Sequence, residues 1–372
     1  MNFFATKLFP LHLIAIFVVL FSSCKDSVDI GFEEPPVLEE YPVWTHLDGI
    51  YKDHDSIILS SYRSSDSIIM YSTAQGVSYF NTRTKIVDKQ LGLYSGFAWP
   101  YSSIINEYAT VYVKDNRIIV HDNSTLGKQH FVYIDTESYL GYTITSLQGD
   151  RLYYQHDLAA GDGDTSIWKI RYLDLTDFPQ SPLGSIDLSK NEIQIPLPSF
   201  VRAHGYINNF WSFDNMLYVS VGNHFYRIDR DGSYKRMDWQ GQDIYPGNMF
   251  QIGKTLFAVC NSSGIFDHPL LFSNDSGETW QPYTNNDDYG SFYYMVQGHP
   301  FEFDNQRYLA GSFGLLSILD FSNGKFSVNP LSFDGERPTF FQSLYSTEDA
   351  KFVYAISPTG IWVVNRNMFN NQ

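Results

Sequence analysis

The chain has 372 residues, with 25 Lys and Arg against 41 Asp and Glu and a formal net charge of −16 at pH 7. That acidic balance, without a basic stripe, excludes nucleic acid and strongly anionic polymers as principal ligands. Two cysteines allow at most one disulfide and no Cys/His cluster has zinc spacing, so no structural metal and no cofactor is expected.

Lys7 supplies a short positive region before "LFPLHLIAIFVVLF" (Leu8 to Phe21), an apolar run too short and too N-terminal for a membrane span. The small residues Ser22 and Ser23 and then Cys24 follow. Residues 1–23 resemble a bacterial lipoprotein signal peptide, with Cys24 in the place of the acylated cysteine and Phe21 where Leu is usual. The alternatives are an ordinary signal peptide with a chance cysteine, or an N-terminal anchor helix. Lipidation would consume the Cys24 thiol and leave Cys260, in the apolar "TLFAVC", as a buried free thiol on a strand. Residues 24–40, "CKDSVDIGFEEPPVLEE", are acidic, Pro-containing and aperiodic, and read as a flexible tether. Asp26, Asp29, Glu33 and Glu34 resemble the surface-export signal of Bacteroidota lipoproteins. The resemblance implies a protein held in the cell envelope by a lipid in the outer membrane, on its surface or its periplasmic side.

Residues 41–372 carry short apolar runs between polar turns, with no long helical pattern, which makes the domain all-β. "YPVWTHLDG" (Tyr41 to Gly49) is a first strand without an adjacent partner. A strand–turn–strand unit then recurs in chain order: "IIMYSTAQGVSYFNTRT" around Gly76, "ATVYVKDNRIIVHDN" around Asn116, and "RLYYQHDLAAGDGDTSIWKIRYLDL" around Gly163. It continues as "LYVSVGNHFYRIDRDG" around Gly222, "LFAVCNSSGIFDHPLLFSNDSG" around Gly264, "YLAGSFGLLSILDFSNG" around Gly314 and "VYAISPTGIWVVNRN" around Gly360. The last three intervals are 42, 50 and 46 residues, and an insertion at 176–199 stretches the one before them. Seven units with room for four strands each predict a seven-bladed β-propeller, with six or eight blades as alternatives. The final unit is one strand short, so the N-terminal strand is expected outermost in the last blade, closing the ring and removing two sheet edges.

Within the fifth unit, "SNDSGETW" places Ser273, Asp275, Gly277, Thr279 and Trp280 in the order Ser-x-Asp-x-Gly-x-Thr-Trp. This resembles the Asp-box of sialidase-like repeat propellers, and "DRDGSY" (229–234) and "DFSNGKF" (320–326) are degenerate copies. The resemblance implies a hairpin corner between the two outer strands of a blade, on the face away from any active site. Asp275 would accept from the turn's own N–H groups, Gly277 would supply positive φ, and Trp280 would bury its ring between blades. A sialidase also needs an arginine triad, and near the start the chain offers only the isolated Arg63.

Propeller ligands gather at the central channel, on the face built by blade-to-blade connections. Those connections are aromatic-rich: "LGLYSGFAWPYS" (91–102), "TESYLGY" (136–142), "PSFVRAHGYINNF" (198–210), "GQDIYPGN" (241–248) and "NNDDYGSFYY" (285–294). Trp99, Tyr101, Tyr142, Tyr206, Tyr245 and Tyr289 are therefore expected to form a mouth suited to sugar faces or a peptide, with Arg202 and His204 as polar candidates beside Tyr206. "HDLAAGDGD" (156–164) has carboxylates spaced like a calcium loop but lacks the terminal Glu, and reads as an exposed turn. The expected function is a non-enzymatic binding or assembly module, a monomeric propeller taking a glycan or an envelope protein. The alternative is a polysaccharide lyase or glycoside hydrolase using the same mouth, with His204 and Tyr206 as its acid–base pair.

Overall fold

The computed structural model describes residues 41–47, 57–92, 102–114, 117–123, 131–135, 145–155, 167–177, 191–196, 207–221, 224–260, 270–283, 299–347 and 349–370. These residues form seven small antiparallel sheets arranged as a seven-bladed β-propeller. Blade 1 holds β2 (Ile58–Arg63), β3 (Ile68–Thr73), β4 (Gly76–Asn81) and β5 (Ile86–Gly92). Blade 2 holds β6 (Ser102–Ile105), β7 (Ala109–Lys114), β8 (Arg117–Asp122) and β9 (Phe131–Asp135). Blade 3 holds β10 (Thr145–Gln148), β11 (Arg151–Gln155), β12 (Ile167–Asp174) and β13 (Glu192–Pro196). Blade 4 holds β14 (Ile207–Phe213), β15 (Met216–Val221), β16 (His224–Ile228) and β17 (Tyr234–Trp239), and adds a fifth strand, β18 (Gln242–Asp243). Blade 5 holds β19 (Pro246–Ile252), β20 (Thr255–Cys260), β21 (Leu270–Ser273) and β22 (Gln281–Pro282). Blade 6 holds β23 (His299–Phe303), β24 (Gln306–Ala310), β25 (Leu316–Ser322) and β26 (Lys325–Pro330). Blade 7 is built from β27 (Ser343–Ser346), β28 (Phe352–Ser357) and β29 (Gly360–Asn365), with β1 (Thr45–His46) added outside β29.

The turn chemistry explains why these strands pair in order. Two-residue hairpins with both residues at positive φ match the twist of antiparallel strands. Asp214–Asn215 (φ 47° and 62°) and Asp304–Asn305 (φ 51° and 58°) supply them between the first and second strands of blades 4 and 6. Asn323–Gly324 (φ 53° and 74°) supplies another between the third and fourth strands of blade 6. Gly76, Gly314 and Gly360 fall at the turn between second and third strands, so the sequence period marks one corner of the blade. Asn116, Gly163, Gly222 and Gly264 lie outside the described residues.

First strands of blades 1 to 5 touch in succession, as do those of blades 6 and 7, and they form the inner wall. Second strands are covered on both faces, and each carries a buried aromatic: Tyr71, Tyr112, Tyr153, Tyr218, Phe257, Tyr308 and Tyr354. The core is therefore a series of clusters between adjacent blades, such as the one joining Tyr218, Phe225 and Met237 of blade 4 to Leu256, Ala258 and Trp280 of blade 5.

Closure follows the expected plan. β1 pairs antiparallel with β29 through Thr45↔Val363 and His46↔Trp362. Backbone bonds from Asn365 N to Tyr41 O (2.8 Å) and from Leu47 N to Ile361 O (3.0 Å) extend the pairing. Two paired residues are few, and aromatic packing supplements them. Trp44 is buried edge-on against Phe333, Phe341 and Phe369. Tyr41 meets Phe352 edge-on and accepts a 2.8 Å bond from Lys85 Nζ of blade 1. Gly360 has φ 145°, and a Cβ there would lie 2.2 Å from His46 Nε2. Gly360→Ala should therefore destabilise the ring by about 1–3 kcal/mol, from backbone strain and displacement of His46. Urea unfolding that showed no loss would contradict the tight packing of β1 on β29.

Candidate functional site

The corner at Ser273–Trp280 is a closed hydrogen-bond unit. Ser273 Oγ donates to Asp275 Oδ1 (2.7 Å) and accepts from Gly277 N (2.8 Å). Asp275 Oδ1 accepts from Thr279 N (2.9 Å), and its Oδ2 from Thr279 Oγ1 (2.6 Å). Partial desolvation pushes the Asp275 carboxyl up, but the bonds from Thr279 and Ser273 outweigh it and hold the group below the usual aspartate range. Gly277 has φ 81°, and a Cβ there would come 3.1 Å from Met237 Cε and 3.3 Å from Tyr218 Cε1. The corner lies between β21 and β22, the two outer strands of blade 5, where the sequence placed it.

Its contacts run to the preceding blade. Ser276 O accepts from Tyr218 Oη (3.0 Å) and Arg227 Nη1 (3.2 Å), both of blade 4. Glu278 completes the junction with ion pairs to Arg227 and Lys235. Trp280, 5% exposed, meets Phe225 of blade 4 edge-on at 6.0 Å between centroids. Every group here fastens blade 5 to blade 4. The degenerate copies occupy the same corner of their own blades: Asp229 to Ser233 is closed by Asp229 N→Ser233 O (2.8 Å), and Asn323–Gly324 turns between β25 and β26.

The inner wall has a different chemistry. Across three seams between first strands, serine hydroxyls bond directly: Ser60 to Ser103 (2.7 Å, blades 1 and 2), Ser146 to Ser212 (2.6 Å, blades 3 and 4) and Ser61 to Ser343 (2.7 Å, blades 1 and 7). Asn209 Nδ2 donates to Gly247 O (3.4 Å) across the seam of blades 4 and 5. The first strands of blades 1, 4 and 5 each carry a bulge at the same register, at Ile58/Ser60, Ile207/Asn209 and Pro246/Asn248. In blade 1 the bulge carbonyls of Ile58 and Leu59 accept from Gln342 Nε2 (3.2 and 3.4 Å). Burial pushes the Tyr345 phenol up, so it stays a neutral donor and acceptor beside Ser61 and Ser343.

A cavity of about 430 Å³ opens where these strands meet, lined by Leu59, Ser60, Ser61, Ser103, Ile104, Ile105, Phe340, Gln342 and Ser343. The sequence reading missed this lining. The first strands carry serines at these positions, in "LSSYR", "SSII" and "SLYS", but nothing in the local pattern pairs them across blades.

Of the candidate mouth, Tyr245 is described: it is half-buried on the connection between blades 4 and 5. Trp99, Tyr101, Tyr142, Arg202, His204, Tyr206 and Tyr289 lie outside the described residues, as do Cys24, residues 1–40 and the turn at 156–164. Arg63 ends β2 and pairs with Asp66 at 3.1 Å. Cys260 is a buried free thiol, as expected, and burial pushes it up to about 12, which leaves it unreactive at neutral pH. Among the described residues no group of three His, Cys, Asp or Glu side chains gathers as a metal site.

An aromatic that the sequence reading passed over stands out on another connection. Phe313 is 87% exposed and has φ 61°, a conformation that costs a bulky residue of order 1–3 kcal/mol. It is held by its neighbour: Gly314 N donates to Thr339 O (2.6 Å), and a Cβ on Gly314 would lie 2.4 Å from Pro338 O.

No protein-family model matches the chain, and comparison with curated proteins finds no relative. Solved structures do match. A streptogramin B lyase aligns at 13% identity over 87% of this chain and 98% of its own, with a TM-score of 0.51. Virginiamycin B lyase of Staphylococcus aureus aligns at 12% identity over 86% of this chain and 97% of its own, with a TM-score of 0.50. At such identity the likeness is one of propeller fold.

The Ser273–Trp280 corner should behave as structure. Asp275→Ala should cost about 1–2 kcal/mol through lost turn bonds, and Trp280→Ala about 3–5 kcal/mol through a cavity. Because the folded Asp275 titrates below its unfolded value near pH 3.9, its contribution is complete above that pH and is lost as pH falls through the lower folded value. Asp275→Ala should therefore flatten the acid limb of a stability profile, and a variant with the wild-type limb would refute this role.

Proposed function

We propose that this chain is a cell-envelope lipoprotein of the Asp-box propeller type, anchored by a lipid on Cys24, whose propeller is a binding or assembly module for a neutral partner. The observation that carries the reading is the chemistry of the inner wall. Around the described channel the blades are joined by uncharged hydroxyl and amide groups, and the cavity between blades 1, 2 and 7 has no ionisable side chain in its lining. General acid–base catalysis needs groups with pKa values near the working pH at the reacting bond, and a neutral wall instead suits recognition. The acidic net charge of −16 adds that a polyanionic partner would be repelled. The Asp-box corner, committed to holding blade 5 on blade 4, leaves recognition to the channel face. A glycan or a protein segment fits these constraints.

Two measurements test this reading. Cys24→Ser should shift the protein out of the membrane fraction or leave an unprocessed precursor, and unchanged fractionation with an unchanged N-terminal peptide mass would refute the anchor. A glycan and peptide array, with product analysis of every hit, should give binding without turnover. Trp99→Ala or Tyr206→Ala should weaken that binding by about 1–3 kcal/mol. Cleavage of a bound glycan that His204→Ala or Tyr206→Ala abolishes, with binding intact, would make the protein an enzyme.

A further inference from the structure

The cavity between the inner strands of blades 1, 2 and 7 narrows the choice of ligand. Its hydroxyls bond mainly to one another. Ser60 Oγ lies 2.7 Å from both Ser72 Oγ and Ser103 Oγ, and Ser72 and Ser103 also bond to each other. A hydroxyl has one proton, so a closed ring of three uses all of them internally and offers lone pairs outward. Ser61 Oγ lies 2.7 Å from Ser343 Oγ and 3.1 Å from Tyr345 Oη, a second hydroxyl cluster on the blade 7 side. Between the two clusters, Gln342 is anchored through Nε2 to Ile58 O and Leu59 O, and this leaves its Oε1 buried without a hydrogen-bond partner. A buried carbonyl oxygen without a donor is costly, and a ligand hydroxyl bonded to it would offset that cost.

The rest of the lining is apolar: Leu59, Ile104, Ile105 and the half-buried Phe340. Acceptors beside apolar surface complement a ligand with hydroxyl donors on a C–H frame. No carboxylate lines the cavity to compensate a cation, and an anion would meet lone pairs, so a charged ligand would lose its hydration without return. The volume falls in the lower part of the range of small-molecule pockets, about 300–1,000 Å³. We infer that this cavity, with Gln342 Oε1 as acceptor and Phe340 as apolar wall, binds a neutral sugar residue, a glycan end of one or two rings.

The inference rests on the binding-module reading above and commits it to a carbohydrate. It also places the ligand on the seam where the ring closes, since Gln342 and Ser343 belong to the blade 7 side while Leu59, Ser60 and Ser61 belong to blade 1. A bound sugar would bridge both sides and stabilise the fold by mass action.

Calorimetric titration of the full chain with methyl α-mannopyranoside, methyl β-galactopyranoside, maltose and cellobiose provides the test, with galacturonate and glucosamine as charged comparators. At least one neutral sugar should bind at a single site and raise the melting temperature, and the charged comparators should bind at least tenfold more weakly. Gln342→Met and Phe340→Ala should each weaken the neutral sugar at least tenfold. If Gln342→Met fails to fold, Phe340→Ala, at a half-buried residue, decides alone. Neutral sugars that bind both variants as well as wild type would overturn this site while leaving the binding-module reading standing. Equal binding of charged and neutral sugars would overturn the ligand class. If no sugar binds, the inference fails, and the peptide half of the array decides the wider reading separately.

Discussion

A propeller blade is a small sheet with two apolar faces, so none is stable until its neighbours cover both. Here that cover depends on one recurring contact, between the buried second strand of a blade and the outer corner of the next. Tyr218 of blade 4 donates to Ser276 O of blade 5, and Tyr354 of blade 7 donates to Thr82 O of blade 1 (3.0 Å). Between blades 3 and 4 the reach is made by Arg151, whose Nη1 donates to Arg230 O (2.7 Å) while its Nε pairs with Asp174. Each contact solves two problems at once. A phenol buried for its ring must still place its hydroxyl, and a tight corner leaves a carbonyl that its own turn does not use. Burial pushes the phenols of Tyr218 and Tyr354 well up, so both stay protonated donors at neutral pH.

The seam between blades 7 and 1 is where strands from both ends of the domain meet, because β1 leads on to β2 of blade 1 yet pairs with β29 in blade 7. It is joined at two radii. Outside, β1 adds only two paired residues, and Trp44 and Tyr41 supply the burial that so short a strand cannot. Inside, Ser61 meets Ser343 and Gln342 reaches the bulge of β2. The inner bonds are single hydroxyl and amide contacts in a part-buried wall, each worth about 0.5–1.5 kcal/mol net. They position more than they stabilise, which is how a wall can be rigid and still hold one unsatisfied acceptor.

Much of this was legible in the sequence, for physical reasons. The blade count followed from turn residues, because positive φ at Gly76, Gly314 and Gly360 restricts what can stand there. The closing strand followed from counting strands against edges. The Ser273–Trp280 corner was legible in its turn bonds at Asp275 and the positive φ of Gly277, which are local and of fixed spacing, but not in its bonds to Tyr218 and Arg227 of blade 4. Blade 4's extra strand β18 was not, as two residues carry no periodicity. Nor was the serine seam. Ser60 and Ser103 are 43 positions apart, and nothing local marks two serines as partners across a blade junction. Phe313 escaped because its exposure and positive φ depend on Pro338 and Thr339, which the pattern around it does not reveal.

The aromatic content of the described residues is accounted for by packing before any ligand is invoked. At 17% aromatic, with 27 Tyr and 29 Phe, the chain invites a reading of stacking platforms for sugars. The described residues spend these rings elsewhere. Seven second strands each take one, closure takes Trp44, Tyr41, Phe333, Phe341 and Phe369, and the junction of blades 5 and 6 packs Phe250, Phe257, Phe321 and Phe326 against one another. Blades this small reach adequate burial by using large side chains at their contacts, so a high aromatic fraction is what a propeller of short strands requires for stability. The case for a ligand must rest on groups the fold does not consume. By that criterion an acceptor left unpaired at Gln342 says more than any count of rings, because burial without a partner carries a cost that the surrounding packing does not repay.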